Sequence, residues 1–279
     1  MPELPEVETV KNQLAEKIVG KKIENVDIRL PKMVRGVTPA GFKKKVTGAK
    51  ITKVSRRAKF LIIELNNNYA LVIHLKMTGQ LIYIKKIKFQ EELLKKHSHI
   101  IYYFDDGSIF LHNDMRQFGY VRLLEKDELG SFFTTFKIGP EPLERSFSLN
   151  KFKTLLATKP RLKIKPLLMD QTFLAGIGNL YAQEACWHAK ILPNRFVKSL
   201  KEKEIECLYT SLRNILREAI KCKGSTVDTY VDANDEPGDY VKKIKVYSRE
   251  HQTCLRCGEK IIKIILSGRG TCYCPNCQK

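Results

Sequence analysis

In the opening MPELPEVETV, Pro2 follows the initiator methionine, and Glu3 and Glu6 come just after it. A small second residue favours removal of Met1, which would leave Pro2 as a terminal secondary amine. An α-amino group titrates near pH 7.7–8.0, roughly, so a useful fraction is neutral and nucleophilic at pH 7. Attack of a secondary amine on a sugar carbon gives an iminium ion, an electron sink for elimination chemistry. Glu3 and Glu6 are three residues apart and fall on one side of a helix start, where a carboxylate could move protons beside the amine. The same residues also suit an acidic, proline-initiated helix N-terminus that complements the helix dipole. Both readings stay open on this stretch alone.

A second chemical signal closes the chain. Cys254-x2-Cys257 and Cys274-x2-Cys277 are separated by sixteen residues. Paired CxxC turns at this spacing predict a zinc site with Cys254, Cys257, Cys274 and Cys277 as ligands. Four protein ligands leave no open coordination position, so the zinc is expected to be structural. The intervening segment is long enough for a β-hairpin and carries Lys260, Lys263 and Arg269, which suit a groove or a pair of phosphates. Arg269 reads equally well as a solvated surface arginine. Cys272 is either a bystander or a competing ligand.

These signals sit in a chain of 279 residues with a net charge of +20 and 43% hydrophobic residues. That size suffices for two domains plus a small module. The positive balance favours polyanions, nucleic acid first and an anionic membrane surface second. No apolar run is long enough to span a bilayer, and no signal peptide is present, so an intracellular, cytoplasmic location is expected. Cysteines clustered at one end do not resemble the disulfide framework of a secreted fold.

The elements that must position this chemistry follow from periodicity. Val7, Val10, Leu14 and Ile18 have helical spacing, and Gly20 offers a stop. Alternating stretches follow. NNN at 66–68 and Asp106-Gly107 read as hairpin turns, so residues up to about 137 form a β-rich domain with one N-terminal helix. Residues 138–147 read as a linker. A helical segment then begins at Ser148, and its clearest helix covers 201–222 and ends at Gly224. The stretch 224–240 is polar and reads as a mobile surface loop. The domains are therefore expected at 1–137, 148–240 and 245–279. The glycines of AGIGN (175–179) mark either a tight turn with exposed N–H groups for phosphate, or an ordinary interhelical turn.

In this order and spacing, MPELPEVETV, RRAKF (56–60), HLKMTG (74–79), DMRQFG (114–119), GPEPL (139–143), KPLLMDQTFLAGIGNLYAQEA (165–185), GST (224–226) and GRGTCYCPNCQ (268–278) resemble the formamidopyrimidine-DNA glycosylase family along nearly the whole chain. The resemblance implies an α+β fold. Its parts are an N-terminal β-sandwich with a catalytic helix, a helix–two-turn–helix domain and a C-terminal zinc-finger hairpin, with double-stranded DNA in the cleft between the two main domains. It implies a base-excision enzyme that removes oxidised purines and cleaves the abasic strand by β,δ-elimination. One structural zinc is the expected cofactor, with no membrane, no obligate protein partner and a monomeric, nucleoid-associated habit.

The resemblance also implies roles. Pro2 would be the nucleophile that forms the Schiff base, and Glu3 the general acid in base release. Lys59 would donate a proton in β-elimination and Arg269 in δ-elimination. A damaged base must leave the stack to react, and Met77, Arg116 and Phe118 match the residues that fill the vacated space. His97, Asn179, Lys165 and Arg161 match DNA contacts, and 224–240 matches the segment that caps the flipped base. Pro160 stands where a basic residue is common, with Arg161 or Lys159 as substitutes. Lys190 replaces a usual glycine, and Cys272 a usual histidine or aromatic. Two further readings remain: a sister enzyme for oxidised pyrimidines, against which MPELPE and the Arg116–Phe118 pair argue, and a non-catalytic zinc-ribbon DNA-binding protein, which has no need of Pro2, Glu3 and Lys59 together.

Overall fold

The computed structural model describes residues 1–85 and 96–279. Two compact units divide the chain: residues 1–135 with 222–241, and residues 136–221 with 242–279.

The first unit begins with α1 (Leu4–Ile18). Its apolar residues Val7, Val10, Leu14 and Ile18 are buried in one core, as their spacing predicts. Along the chain follow β1 (Ile23–Ile28), β2 (Val34–Arg35), α2 (Pro39–Val46), β3 (Ile51–Arg57), β4 (Phe60–Leu65), β5 (Tyr69–His74), β6 (Gly79–Ile84), β7 (Ser98–Phe104), β8 (Ile109–Asp114), β9 (Tyr120–Glu125) and α3 (Glu128–Thr135). They form a five-stranded sheet ordered β2-β9-β5-β4-β3 and a four-stranded sheet ordered β1-β7-β8-β6. Leu61, Ile63, Leu71 and Ile73 of the first sheet share a core with Val26, Ile100, Tyr102 and Phe110 of the second. The two sheets therefore form a β-sandwich. Both expected hairpins are present, with β4 pairing β5 and β7 pairing β8.

The expectation of one helix in this region is corrected by α2 and α3. Each is only eight residues long. α2 buries only Phe42 and Val46, and α3 buries no residue. So few anchors leave no readable helical stripe. The local signal is the cap: Thr38 accepts a hydrogen bond from the Gly41 N–H, and Pro39 opens the helix.

The second unit holds α4 (Leu149–Ala157), α5 (Ile164–Met169), α6 (Asn179–His188), α7 (Glu202–Lys221), β10 (Ile262–Leu266) and β11 (Arg269–Tyr273). Ser148 caps α4 by accepting from the Lys151 N–H. α7 buries Leu208, Leu212, Ile215, Leu216 and Ala219 along one stripe. Glu184 of α6 is fully buried and accepts from the backbone N–H groups of Lys245, Val246 and Tyr247. One carboxylate thus fixes the chain entering the finger.

Candidate active site and nucleic-acid interface

The start of α1 is a reciprocal capping box between Glu3 and Glu6. Glu6 Oε2 accepts from the Glu3 N–H at 2.8 Å, and its other oxygen accepts from the Ser225 N–H at 2.9 Å. Pro2, Glu3 and Glu6 are all buried. The helix-cap reading of this stretch is therefore correct for Glu6. It does not compete with chemistry at Pro2 and Glu3, because the cap is what fixes the terminus.

Lys59 occupies a two-residue turn between β3 and β4, flanked by the paired Arg57 and Phe60. Ala58 takes the left-handed conformation there, with φ 53°. Arg56 braces this turn and ties it to the helix. Its guanidinium donates to the Ala58 carbonyl at 2.8 Å and to Glu8 Oε2 of α1 at 2.7 Å. Burial pushes the Glu8 carboxyl up, but hydrogen bonds from Lys11 and Arg56 outweigh it and hold Glu8 below its ordinary value. The element carrying Pro2 and the turn carrying Lys59 are thereby locked together. Sequence reading missed Glu8 and Arg56, because an ion pair across distant segments has no local signature.

Met77, Arg116 and Phe118 come together on the surface. The Arg116 guanidinium donates to Met77 Sδ at 3.0 Å and lies 4.9 Å over the Phe118 ring. All three are exposed, as is Met115 beside them. Three large side chains held in water against one another suit insertion into a base stack. Beneath them Asp114 is completely buried. Its Oδ1 accepts from Thr78 Oγ1 and from the Arg116 N–H, and its Oδ2 from the Gly119 N–H at 2.6 Å. One carboxylate therefore joins the loop carrying Met77 to the loop carrying Arg116 and Phe118. Asp114 lies inside a quoted motif, yet its role shows only in the folded chain. His97 is half-buried next to this region, and its carbonyl accepts from the Asp114 N–H.

The second unit organises its own cations. Lys165 is 0% exposed, and its ammonium donates to Asn179 Oδ1 at 2.5 Å and Thr271 Oγ1 at 3.0 Å. Asn179, the first residue of α6, also donates to the Gly270 carbonyl at 3.2 Å. Lys165 thus orients Asn179 and the finger strand from within. Arg269 is exposed after the turn Ser267-Gly268, whose two positive φ angles, 50° and 71°, match a tight β10–β11 hairpin. A cavity of about 180 Å³ is lined by Lys165, Asp170, Ser267 and Arg269. Arg161, Lys159 and Pro160 are all exposed. Of the two readings of AGIGN, Gly176 fits the ordinary interhelical turn. It is buried, and its N–H donates to Gln171 Oε1 at 2.9 Å.

The sulfurs of Cys254, Cys257, Cys274 and Cys277 lie within 4.8 Å of one another. The Cys254–Cys277 and Cys257–Cys274 pairs are 3.9 and 3.5 Å apart. A tetrahedral site with Zn–S bonds of about 2.3 Å needs sulfurs roughly 3.8 Å apart, so this donor set fits one zinc ion. Cys272 is buried beside them without belonging to the four. Its backbone N–H donates to Gln183.

The segment 224–240, expected to be mobile, is held by many bonds. Tyr83 N–H and Gln80 of β6 donate to the carbonyls of Ala233 and Thr229. Tyr230 is buried in the core, and its hydroxyl donates to the Lys223 carbonyl. Composition shows the polarity of this segment but not its partners, which lie on other elements.

Three family models match the chain. The formamidopyrimidine-DNA glycosylase N-terminal domain matches residues 1–121, the formamidopyrimidine-DNA glycosylase H2TH domain residues 138–231, and the zinc finger found in FPG and IleRS residues 252–279. Formamidopyrimidine-DNA glycosylase of Pelotomaculum thermopropionicum is 42% identical, with 100% of this chain and 99% of the relative covered. That of Listeria monocytogenes is 41% identical over the full length of both. A mutant of Lactococcus lactis FPG in complex with Fapy-dG containing DNA superposes with a TM-score of 0.91 at 39% identity, covering 100% of both chains. The Lactococcus lactis Fpg in complex with an abasic site containing DNA gives 0.91 at 37% identity, covering 99% of both.

Proposed function

Because the chain belongs to the formamidopyrimidine-DNA glycosylase family, we propose how its own residues perform the reaction of a base-excision DNA glycosylase and abasic-site lyase. It acts on double-stranded DNA containing damaged bases or abasic sites and carries one structural zinc ion. Residues 1–137 form the catalytic domain, 148–240 the DNA-binding segment, of which 222–240 pack with the first unit, and 245–279 the finger, and the enzyme works in the cytoplasm on the nucleoid.

In the Met1–Pro2 peptide the proline nitrogen is an amide and has no nucleophilic lone pair. Removal of Met1 creates the amine. The neutral amine attacks C1′ of the extruded nucleotide, and Glu3 protonates the departing base. The C1′–O4′ bond of the resulting aminal then breaks, O4′ taking up a proton as the nitrogen loses its own, and the open-chain iminium acidifies the C2′ hydrogen. Loss of that proton expels the 3′ phosphate, with Lys59 supplying a proton and a charge-assisted hydrogen bond. A second elimination expels the 5′ phosphate, which is the role assigned to Arg269. Met77, Arg116 and Phe118 occupy the space left by the flipped base, and Arg116 donates to the orphaned partner base. Asn179 and Arg161 contact phosphates, His97 makes a further DNA contact, and buried Lys165 holds Asn179.

The observation that carries this reading is the α1 start. A buried Pro2 and Glu3 are fixed by Glu6, and the turn bearing Lys59 is bolted to the same helix through Arg56 and Glu8. A protein that only binds DNA has no use for that coupling. Duplexes carrying 8-oxoguanine opposite cytosine, thymine glycol or an abasic site test it. Strand cleavage at the first and third is expected, with 8-oxoguanine preferred over thymine glycol. Cleavage confined to thymine glycol would reassign the chain to pyrimidine lesions, and binding without any cleavage would make it a sensor.

A further inference from the structure

Two side chains of α1 hold the backbone of the segment 224–240. The first is the Glu6 carboxylate, which also holds the Glu3 N–H. The second lies seven residues on, two helical turns away on the same face. There Gln13 Nε2 donates to Asp232 Oδ2 at 2.6 Å, and Gln13 Oε1 accepts from the Ala233 N–H at 2.8 Å. Asp232 is 0% exposed, and its other oxygen accepts from the N–H groups of Asn234 at 2.8 Å and Glu236 at 3.0 Å. Every polar atom in this pair is thus used in one direction only. Gln13 cannot turn over without setting N–H against N–H and oxygen against oxygen. Burial makes such a mismatch costly.

From this geometry we infer that Gln13 and Asp232 are positioning residues for base excision. They form a latch that fixes the reach of residues 226–229 towards the α1 start and thereby sets how the damaged base is held. The inference rests on the reading of Pro2 and Glu3 given above. Residues 226–229 lie between the anchor at Ser225 and the buried Tyr230, and they are the accessible part of this span. The latch touches neither Pro2 nor the turn bearing Lys59, which is braced separately by Arg56. Releasing it should therefore loosen the wall against the base and leave elimination at a pre-formed abasic site intact, since that substrate has no base to hold.

The polarity of the pair supplies its own control. Asp232→Asn keeps the oxygen that serves Asn234 and Glu236 but turns a donor towards the Gln13 donor. Gln13→Glu sets two carboxylates against each other. The double exchange Gln13→Glu with Asp232→Asn restores every bond, with donor and acceptor reversed only between residues 13 and 232, and leaves the total charge unchanged. Single-turnover rates are measured on an 8-oxoguanine duplex and on an abasic duplex with the same preparations. Each single variant is expected to lose about tenfold in excision, equivalent to about 1.4 kcal/mol in the barrier, with abasic cleavage held within about twofold. The double exchange is expected to recover the excision rate. Unchanged excision in both single variants, an equal loss on both substrates, or no recovery in the exchange would each overturn the latch. The unsubstituted chain run alongside reports on the family reading separately, because only that reading fails if it cuts neither substrate.

Discussion

At the residue scale, the proposed site consists of a few reactive groups held by carboxylates, of which Glu6 and Asp114 are buried and Glu8 is partly exposed. Glu6 holds the Glu3 N–H, Glu8 holds Arg56, and Asp114 holds both wedge loops. Of the reactive residues, only Pro2 is unusual for its place in the sequence, a proline after the initiator; Lys59 and the Met77, Arg116 and Phe118 trio can be named only through the family resemblance. The carboxylates cannot be singled out there, because a glutamate near a helix start has many ordinary uses. Asp114 gives the sharpest test. Replacing it by Asn leaves at least one buried N–H or hydroxyl facing another donor, which typically costs about 1–3 kcal/mol. Asp114→Asn is expected to lower the thermal midpoint and weaken binding to lesion duplex, measured by anisotropy, more than binding to undamaged single strands, which need no wedge. An equal loss on both DNAs would remove the proposed link to the wedge.

At the element scale, what is legible depends on length and regularity. α1 and α7 follow a stripe over 15 and 20 residues, and the pattern gives their ends to within two residues. α2 and α3 escape sequence reading because eight residues with two buried anchors or none carry no period. The segment 224–240 shows the opposite failure. Its composition suggests mobility, but Glu6, Gln13, Gln80 and Tyr83 satisfy its backbone from other elements. The zinc ligands are fully legible, since two CxxC turns are local and their geometry fits one ion. Metal analysis is expected to give one zinc per chain. Cys257→Ser should lower that occupancy, and it should reduce cleavage by disturbing Arg269 on the hairpin while leaving the β-sandwich folded, as judged by retained signals of unit one in NMR spectra. Full zinc retention in that variant would contradict the four-cysteine site.

At the scale of the whole molecule, charge and buried histidines set the response to conditions. With a net charge of +20, affinity for DNA should fall steeply with salt, with a log–log slope of about −0.9 per neutralised phosphate. His74 is lowered to about 3 by burial, helped by repulsion from Lys76, Lys59 and Arg35. Burial lowers His112 to about 4, with nearby Asp114 opposing it only in part. Both are neutral in the folded chain at pH 5, whereas an unfolded histidine takes a proton below about pH 6.5. Unfolding therefore binds protons in this window. Each histidine should cost stability at up to about 1.4 kcal/mol per pH unit as pH falls from about 6.5 towards 4. Denaturant titrations at pH 7 and pH 5 should show the loss, and His112→Phe should flatten it even if it changes the stability at pH 7.

The central claim is that the reacting group is the N-terminal amine of Pro2, freed from Met1 and fixed by the Glu3–Glu6 cap. Borohydride reduction during turnover of an abasic or 8-oxoguanine duplex, followed by proteolysis and mass spectrometry of the cross-linked peptide, locates the covalent bond directly. The account predicts one adduct, on a peptide that begins at Pro2 with no Met1, and its loss in Pro2→Gly. An adduct on Lys59 or another lysine side chain, or an undiminished adduct in chains that retain Met1, would contradict it.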